Sequence, residues 1–255
     1  ASIGPMARRV IDLALLLNVL SAKPAVTSSE SEFVAQARQQ LQGVRVAYYT
    51  NDRVAPVTAD TARAVETAAG ALAAGRLQVF AELPPPVSEG SRLWIELFSR
   101  AAGDQLREFY RGREDEAGPA AASILHRHEK VTSLENRVEM AENVARAVVE
   151  RERLREELLR WMKLTPLILA PVGATPAFAH GAERVEVEGR SISIFRAFSY
   201  SQTFNVFGLP AVSVPAGRTA SGLPIGVQLV GQPGAEMMVL YAAAILEQAF
   251  TDAHA

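Results

Sequence analysis

The 255-residue sequence predicts an α/β protein in which helices cover a β-sheet. Three observations indicate this class. A strand, a helix and a second strand follow one another between residues 43 and 81, the order typical of an α/β layer. The short, wholly apolar segment 167–170 is typical of a strand buried on both faces. Two further strands and an apolar helix close the sequence.

The amino-terminal region is expected to begin with an amphipathic helix. Asp12 suits the first turn of a helix, where an acid interacts favourably with the helix dipole. Apolar residues recur around it at helical spacing: Val10, Leu13, Ala14, Leu17 and Leu20. In the segment 43–49 the apolar residues alternate instead, at Val44, Val46 and Tyr48. That alternation predicts a strand with one buried face.

A capped helix and a second strand come next. Thr58 can cap the helix, and Gly75 is its expected end. The apolar stripe of this helix comprises Ala62, Val65, Ala69 and Leu72. Residues 77–81 predict the second strand, and the three consecutive prolines at 84–86 end it.

The middle of the chain is predicted to be mainly helical. Apolar spacing predicts one helix over 92–110, and the polar, glycine-containing segment 111–119 predicts an exposed loop. A long helix is expected over 134–163, with the charge run 150–153 on a solvated face. Val185, Val187, Ile192 and Ile194 alternate around a turn at 188–190, which predicts a hairpin. The closing strands are expected at 211–214 and 226–230, before a helix at 237–250.

Composition narrows the classes of function. The net charge of -2 and the pI near 6.2 provide no basic surface for nucleic acid or acidic membranes, so neither partner is expected. A small uncharged substrate fits better. The absence of cysteine excludes disulfides, thiolate metal sites and a cysteine nucleophile. The apolar run 13–20 is too short to span a bilayer. We expect a cytoplasmic protein.

Common catalytic motifs are absent from the sequence. It has no Gly-x-Ser-x-Gly elbow, no phosphate-binding loop and no His-Glu-x-x-His zinc helix. His126 and His128 are two residues apart, would not share a helix face and have no third ligand nearby, so a metal site is not expected. His180 could act as a general base for a serine near Ser199. A serine hydrolase of this unrelated kind is the weakest of three functional hypotheses. The alternative interpretation of His180 is a surface histidine.

Three segments, in order along the chain, resemble the amidase-signature hydrolases. The segment 4–16 begins Gly4-Pro5 and continues through arginines to Asp12 and a leucine run. The segment 169–178 is similar to the buried strand and proline-rich pocket loop of the family. The block 205–231, with its Asn-x-x-Gly-x-Pro start, is the most specific match, and Glu247 matches a glutamate common in the last helix of the family.

The resemblance implies a mixed β-sheet covered by helices. In this chain the fold would be incomplete at its amino-terminal side. It also implies hydrolysis of a linear amide to an acid and ammonia or an amine, through a serine acyl-enzyme and without a cofactor. The family uses a nucleophilic serine, a second serine and a lysine as the final base, because an unactivated hydroxyl is a poor nucleophile. Backbone N–H groups of a glycine-rich loop stabilise the oxyanion.

The catalytic elements of the family are not in this sequence. It contains no Gly-Gly dipeptide, and Lys23, Lys130 and Lys163 do not match the catalytic lysine. We therefore assign no catalytic residue. Residues 1–255 are expected to form the carboxyl-terminal portion of a single amidase-like domain, inactive alone, whose serine and lysine come from a missing upstream segment. The competing hypothesis is a non-catalytic, amidase-like binding or partner subunit.

The resemblance does imply a substrate-binding wall, on the acyl side of the substrate, formed by Tyr200, Ser201, Thr203 and Asn205. Structural hydrogen bonding at the entry of a strand is the alternative for these residues. Nearby phenylalanines would suit an aryl or alkyl acyl group, or would belong to the core: Phe178, Phe195, Phe198, Phe204 and Phe207. The expected partners are the amide substrate, the missing amino-terminal half and, in a homo-oligomer, a second copy of the chain.

Overall fold

Helices and strands alternate along the chain in a computed structural model, which describes residues 4–24, 26, 28–99, 101–118, 121–122, 125–126 and 134–252. The helices discussed below are α1 (Val10–Leu20), α2 (Glu30–Gln40), α3 (Ala59–Ala74), α4 (Gly90–Trp94), α5 (Ala101–Tyr110), α6 (Leu134–Met162), α7 (Ile194–Ala197), α8 (Ser199–Phe207) and α9 (Glu236–Asp252). The strands are β1 (Arg45–Tyr48), β2 (Gln78–Ala81), β3 (Leu167–Pro171), β4 (Arg184–Val187), β5 (Arg190–Ser193), β6 (Ala211–Arg218) and β7 (Pro224–Val230).

The main sheet is mixed and has the strand order β2-β1-β3-β7-β6. β1 runs parallel to both β2 and β3, whereas β7 is antiparallel to β3 and β6. Every residue of β3 is buried, as expected for the central strand. The predicted mixed α/β sheet is therefore confirmed. β4 and β5 form the predicted hairpin as a separate two-stranded sheet, and Ile194 begins α7 instead of extending β5.

β1 differs from its prediction because it is buried on both faces. Val46 and Ala47 are consecutive, so they point to opposite faces, and both are fully buried. The strand lies between β2 and β3, and helices cover the sheet on each side. A single buried face was therefore the wrong prediction for this strand.

One face of the sheet packs against α1, α2, α3 and α9. The predicted helices α1, α3 and α9 are present, although Leu20 of the α1 stripe is exposed. Thr58 caps α3 by accepting a hydrogen bond from the Thr61 N–H. Gly75 ends α3. A Cβ at position 75 would lie 2.9 Å from Cγ2 of Ile245 on α9. Only glycine therefore allows α9 to pack this close to the end of α3.

Helix α2 was missed by the periodicity analysis. Ser29 forms a capping box with Glu32: the Ser29 N–H donates to Glu32 Oε2 at 2.7 Å, and Ser29 Oγ accepts from the Glu32 N–H at 3.4 Å. Phe33, Val34 and Ala37 are the buried residues of this helix. The Ser-x-x-Glu pattern at 29–32 was the signal that could have located its start.

The opposite face of the sheet packs against α4, α6 and α8. The long helix α6 confirms its prediction, with Leu154, Leu158 and Met162 buried and the charge run 150–153 half-buried or exposed. The single helix predicted over 92–110 is broken instead: a π-helical turn, Ile95–Ser99, separates α4 from α5. Such a turn shifts the direction of the apolar stripe, which a regular helical period does not reveal.

β6 lies at the edge of the main sheet and pairs with β7. Within the described ranges, no other strand pairs with β6. A search of the same ranges finds no helix with the length and apolar character needed to cross a membrane.

Candidate functional site

The predicted wall residues lie on α8, Ser199–Phe207, and not at the entry of a strand. Tyr200 and Thr203, three positions apart, share a helix face and are fully buried. Ser201 and Asn205, four positions apart, share another face, where Ser201 is half-buried and Asn205 is exposed. The four residues therefore form two pairs with different surroundings. Their predicted contact with substrate stays a prediction.

Tyr200 is anchored to the loop after β1. Its hydroxyl donates a hydrogen bond to the carbonyl of Ala55 at 2.6 Å, and the carbonyl of Thr50 lies 3.3 Å away. Its own carbonyl accepts from Gln228 Nε2 at 3.1 Å. Burial, followed by the nearby Asp52 carboxylate, raises the pKa of Tyr200 far above its usual value. Tyr200 is thus a neutral hydrogen-bond donor that fixes the position of α8.

Asp52 is a buried residue that the sequence analysis missed. Its Oδ1 accepts hydrogen bonds from the Val54 and Ala55 N–H groups, each at 2.8 Å. Its Oδ2 accepts from the Ser199 hydroxyl. Neither Asp52 nor Ser199 has exposed surface. The carboxylate therefore joins the loop after β1 to the first turn of α8. An aspartate in the loop, four residues after the end of β1, was the only local signal.

Tyr49 lies beside this cluster and makes no hydrogen bond through its buried hydroxyl. The rings of Tyr49 and Tyr200 stack with centroids 6.2 Å apart. Burial raises the pKa of Tyr49 well above its usual value, and Asp52 and Tyr200 make smaller contributions in the same direction. Tyr49 contributes packing to the site, while Tyr200 contributes hydrogen bonds.

The buried face of α8 is fixed to α4. Thr203 Oγ1 lies 3.0 Å from the Ser199 carbonyl and 3.3 Å from the Val87 carbonyl, to which it can donate. A Cβ on Gly90 would lie 2.4 Å from that same Oγ1, so α4 can approach only because residue 90 is glycine. These contacts assign a positioning role to Thr203.

The loop after β3, residues 172–180, borders a small cavity of about 200 Å³. The lining residues come from this loop, α3, Phe198 and the strands β6 and β7: Thr61, Val172, Gly173, Thr175, Pro176, Ala177, Phe198, Ser213, Pro224, Ile225 and Gly226. Phe198, directly before α8, places the cavity beside the start of that helix. This is the position at which the sequence analysis expected a pocket loop.

The five predicted phenylalanines divide into different environments. Phe204 and Phe207 belong to the core and Phe195 is half-buried. Phe178 and Phe198 remain 37% and 43% exposed, and their ring centroids lie 6.0 Å apart at an angle of 59°. Phe198 lines the cavity, and Phe178 follows the lining residue Ala177 and contacts the Phe198 ring. The core interpretation holds for Phe204 and Phe207, and an aryl or alkyl contact stays open for Phe178 and Phe198.

The structure gives no support to a catalytic role for His180. His180 is exposed, and no hydrogen bond connects it to a serine among the described residues. The Ser199 hydroxyl donates to Asp52, and the Ser201 hydroxyl donates to the Phe198 carbonyl at 3.2 Å. Lys23 and Lys163 are exposed. His128 and Lys130 lie outside the described residues.

No cluster of three or more histidine, aspartate or glutamate side chains suited to a metal ion occurs in the portion of the chain that the structure describes. Glu247 has a structural contact: its carboxylate oxygens accept from the Val10 N–H at 3.1 and 3.2 Å. Arg9 forms ion pairs with Glu30 and Glu247. Glu247 thus holds the start of α1 against α9.

Comparisons with known proteins agree on one family. The family model described as Amidase matches residues 1–240. The A subunit of glutamyl-tRNA(Gln) amidotransferase from Chromobacterium violaceum is 26% identical over 273 aligned residues, which cover 99% of this chain and 56% of that protein. The protein of the same name from Bartonella bacilliformis is 46% identical over 82 residues, covering 32% of this chain and 16% of its own length.

A solved structure described as an amidase superposes with a TM-score of 0.77 at 22% identity. The superposition covers 96% of this chain and 52% of the amidase chain. At this identity the likeness concerns the fold. The chain thus spans about half the length of the relatives that it matches from end to end.

Proposed function

The chain belongs to the Amidase family, and on that premise we propose that it forms the carboxyl-terminal portion of a hydrolase that cleaves the carbon–nitrogen bond of a linear amide. The observation that carries this proposal is the family match over residues 1–240 together with a sheet of the same architecture. In this proposal, residues 1–255 are part of one domain. They supply the scaffold and one side of the substrate cavity.

We propose that the reacting groups come from an upstream segment of the same domain. A serine hydroxyl would attack the amide carbonyl, the amine would leave with a proton, and water would then hydrolyse the acyl-serine ester. The Ser199 and Thr203 hydroxyls donate structural hydrogen bonds, and Lys23 and Lys163 are exposed at the surface, where no hydrogen bond joins either of them to a serine among the described residues. These contacts support a catalytic serine and lysine outside this chain.

The free edge of β6 is the proposed position of that upstream segment. An unpaired strand edge offers N–H and C=O groups for another strand. Beside it, a cavity of about 380 Å³ is lined mainly by apolar residues of α1, β6 and α9, among them Leu13, Leu17, Val212 and Leu240. Val19 and Leu20 leave a further apolar surface exposed on α1. An amino-terminal half that adds a strand to β6 would cover this surface.

The predicted wall residues receive different roles in this proposal. Ser201 and Asn205 lie on the more exposed face of α8, where their side chains can hydrogen-bond an amide substrate. Tyr200 and Thr203 are buried and hold α8 in place. We therefore propose substrate contact for the first pair and positioning for the second.

A non-catalytic partner in an assembly is the second candidate function. The relative that aligns with nearly the whole chain is named as one subunit of an amidotransferase, and a subunit is a component of a larger assembly. A chain that retains the sheet without the serine and lysine could serve in such an assembly as a binding partner. The upstream reading frame distinguishes the two candidates.

The test compares two proteins: the 255-residue chain alone, and the chain extended upstream in its own reading frame. Each is incubated with a series of linear amides, and ammonia release is measured. A fluorophosphonate probe is used in parallel to label reactive serines. We expect turnover and labelling only in the extended protein, at a serine outside residues 1–255. Labelling of a serine within the chain would contradict the proposal. An extended frame without a reactive serine would favour the binding partner.

A further inference from the structure

We propose that Phe178 and Phe198, with the cavity beside them, form a binding site for an aromatic ring, and that this ring is the acyl group of an uncharged aryl amide. The second part of this inference rests on the proposed function. The pair and its cavity are called the ring site below.

Exposure separates these two rings from their neighbours. Phe204 and Phe207, on the adjacent helix, are fully buried, whereas Phe178 and Phe198 are 37% and 43% exposed. Two neighbouring aromatic rings at the surface expose apolar area to water. A ligand that covers the rings removes this area from water, which favours binding. Their centroid distance of 6.0 Å lies within the range of favourable aromatic pairs, and a third ring can pack against both.

The size of the cavity matches one aromatic ring. Its volume is about 200 Å³, and an apolar cavity of about 150 Å³ is sufficient to bind benzene. Gly173 keeps this space open: a Cβ there would lie 3.3 Å from the Ala197 carbonyl and 3.7 Å from Phe198 Cδ1. A Cβ at position 173 would therefore crowd the Ala197 carbonyl and, in van der Waals contact with the Phe198 ring, fill part of the site.

The charge of the lining selects the class of ligand. None of the described residues that line the cavity is an aspartate, glutamate, lysine or arginine. A ligand with a carboxylate or an ammonium group would lose hydration there without gaining an ionic partner. Thr175 donates its hydroxyl to the Pro176 carbonyl at 2.8 Å, which leaves the loop side largely apolar. An uncharged aromatic group fits this lining better than a charged one.

The ring site is held rigidly by backbone hydrogen bonds. The Ala174 N–H donates to the Ala197 carbonyl at 2.7 Å, so the loop after β3 is tied to the residue before Phe198. The Ala174 carbonyl in turn accepts from the Thr58 N–H at 2.9 Å, at the start of α3. Arg196 Nε donates to the Val54 carbonyl at 2.6 Å on the other side. A preformed site avoids the entropic cost of ordering its walls.

Equilibrium dialysis of the 255-residue chain tests the ring site without requiring turnover, and it measures bound ligand in monomers and soluble oligomers alike. Three probes are compared: benzamide, cyclohexanecarboxamide and acetamide. We expect benzamide to bind at least about tenfold more tightly than acetamide, with cyclohexanecarboxamide between them. Equal retention of benzamide and acetamide would overturn the inference.

Variants locate the binding. Phe198→Ala and Phe178→Ala are each expected to weaken benzamide binding by about tenfold. Gly173→Ala should weaken it without removing an aromatic ring. Phe109→Ala removes a ring that is 64% exposed on α5, away from the cavity, and should leave binding unchanged. Urea unfolding of each variant verifies that the fold is retained. Unchanged binding in Phe198→Ala, or a loss in Phe109→Ala as large as in Phe198→Ala, would contradict the assignment.

The ring site and the proposed function can fail separately. If benzamide binds but the upstream-extended protein hydrolyses no amide, the proposed function fails and the ring site stands. If the extended protein hydrolyses acetamide and benzamide with equal kcat/KM, and Phe198→Ala does not change that ratio, the ring site is wrong and the proposed function stands.

Discussion

The hydroxyl of Ser199 donates a hydrogen bond to the carboxylate of Asp52 across 147 positions of sequence. Both residues are fully buried. The same carboxylate accepts two backbone N–H groups, so it is satisfied without any cationic partner among the contacts described. This bond holds the first turn of α8 against the loop after β1, and α8 carries the predicted wall residues.

The first prediction concerns the Asp52 carboxylate. Asp52→Ala leaves the half-buried N–H of Val54 and the buried N–H of Ala55 without an acceptor, so we expect the free energy of unfolding to fall by about 2–4 kcal/mol. Ser199→Ala should cost less, about 1–3 kcal/mol, because it removes a single donor. Urea unfolding followed by circular dichroism measures both. Asp115→Ala, at an exposed position, is the control. A cost for Asp115→Ala equal to that of Asp52→Ala would refute this role.

The second prediction compares two stacked tyrosines. Tyr200→Phe removes the donor to the Ala55 carbonyl and should lower the free energy of unfolding by about 1–2 kcal/mol. Tyr49→Phe removes a buried hydroxyl without a hydrogen-bond partner, so stability should stay within about 0.5 kcal/mol or rise. The two variants are matched in size and chemistry. Equal losses would show that hydrogen bonding does not distinguish the two rings.

The third prediction is a loss of stability at alkaline pH. Burial is the leading cause that raises the pKa of Tyr49 and of Tyr200 in the folded protein. Tyrosines in the unfolded chain ionise near pH 10, as in free peptides, so above about pH 10 the unfolded state releases protons that the folded state retains. Stability is therefore fully present below about pH 10 and falls above it, by about 1.4 kcal/mol per pH unit for each tyrosine.

Urea unfolding between pH 8 and pH 11 measures this loss. The double variant with Tyr49→Phe and Tyr200→Phe should flatten the decline above pH 10. If the double variant loses stability as steeply as the wild type, other groups are responsible.

The fourth prediction concerns Glu247 and the start of α1. Glu247→Ala removes the acceptor of the Val10 N–H and should lower the free energy of unfolding by about 1–2 kcal/mol. Glu247→Gln retains an acceptor oxygen and should lose less. Thermal unfolding of both variants is compared with Glu142→Ala, an exposed position on α6. A loss in Glu142→Ala as large as in Glu247→Ala would indicate a general charge effect.

The fifth prediction is self-association of the chain alone through α1 and β6. Leu16 and Leu20 are 39% and 62% exposed on one face of α1. The double variant Leu16→Glu and Leu20→Glu should weaken self-association by at least about tenfold with little change in the unfolding midpoint. Analytical ultracentrifugation gives the dissociation constants. Leu164→Glu, at an exposed leucine outside α1 and β6, should not change them. A monomeric wild-type chain would contradict the prediction.

Local signals in the sequence were sufficient for much of the fold. Thr58 and Gly75 mark the ends of α3 because capping depends on neighbouring residues only. The apolar segment of β3 indicated its central position, and the family resemblance is confirmed by the match over residues 1–240. These features need no knowledge of distant contacts.

Other features depend on contacts between distant residues and could not be predicted locally. Ser199 donates to Asp52 because the fold brings the start of α8 beside the loop after β1, which no local pattern reveals. Periodicity did not distinguish Phe204, which is fully buried within α8, from Phe198, which is exposed directly before that helix. The helical state of the wall residues was missed because β6 begins only four residues after α8 ends, so the segment was interpreted as the entry of that strand.

The central position of β3 has a consequence for synthesis on the ribosome. Among these strands β1 and β2 are translated first, but β3, the parallel neighbour of β1, is translated only after the long helix α6. Until β3 leaves the exit tunnel, β1 has β2 as its only possible partner among the strands of the main sheet. Pairing between distant parallel strands is slow because a long loop must close first. We therefore expect the nascent chain to depend on chaperones for the seconds that precede the emergence of β3.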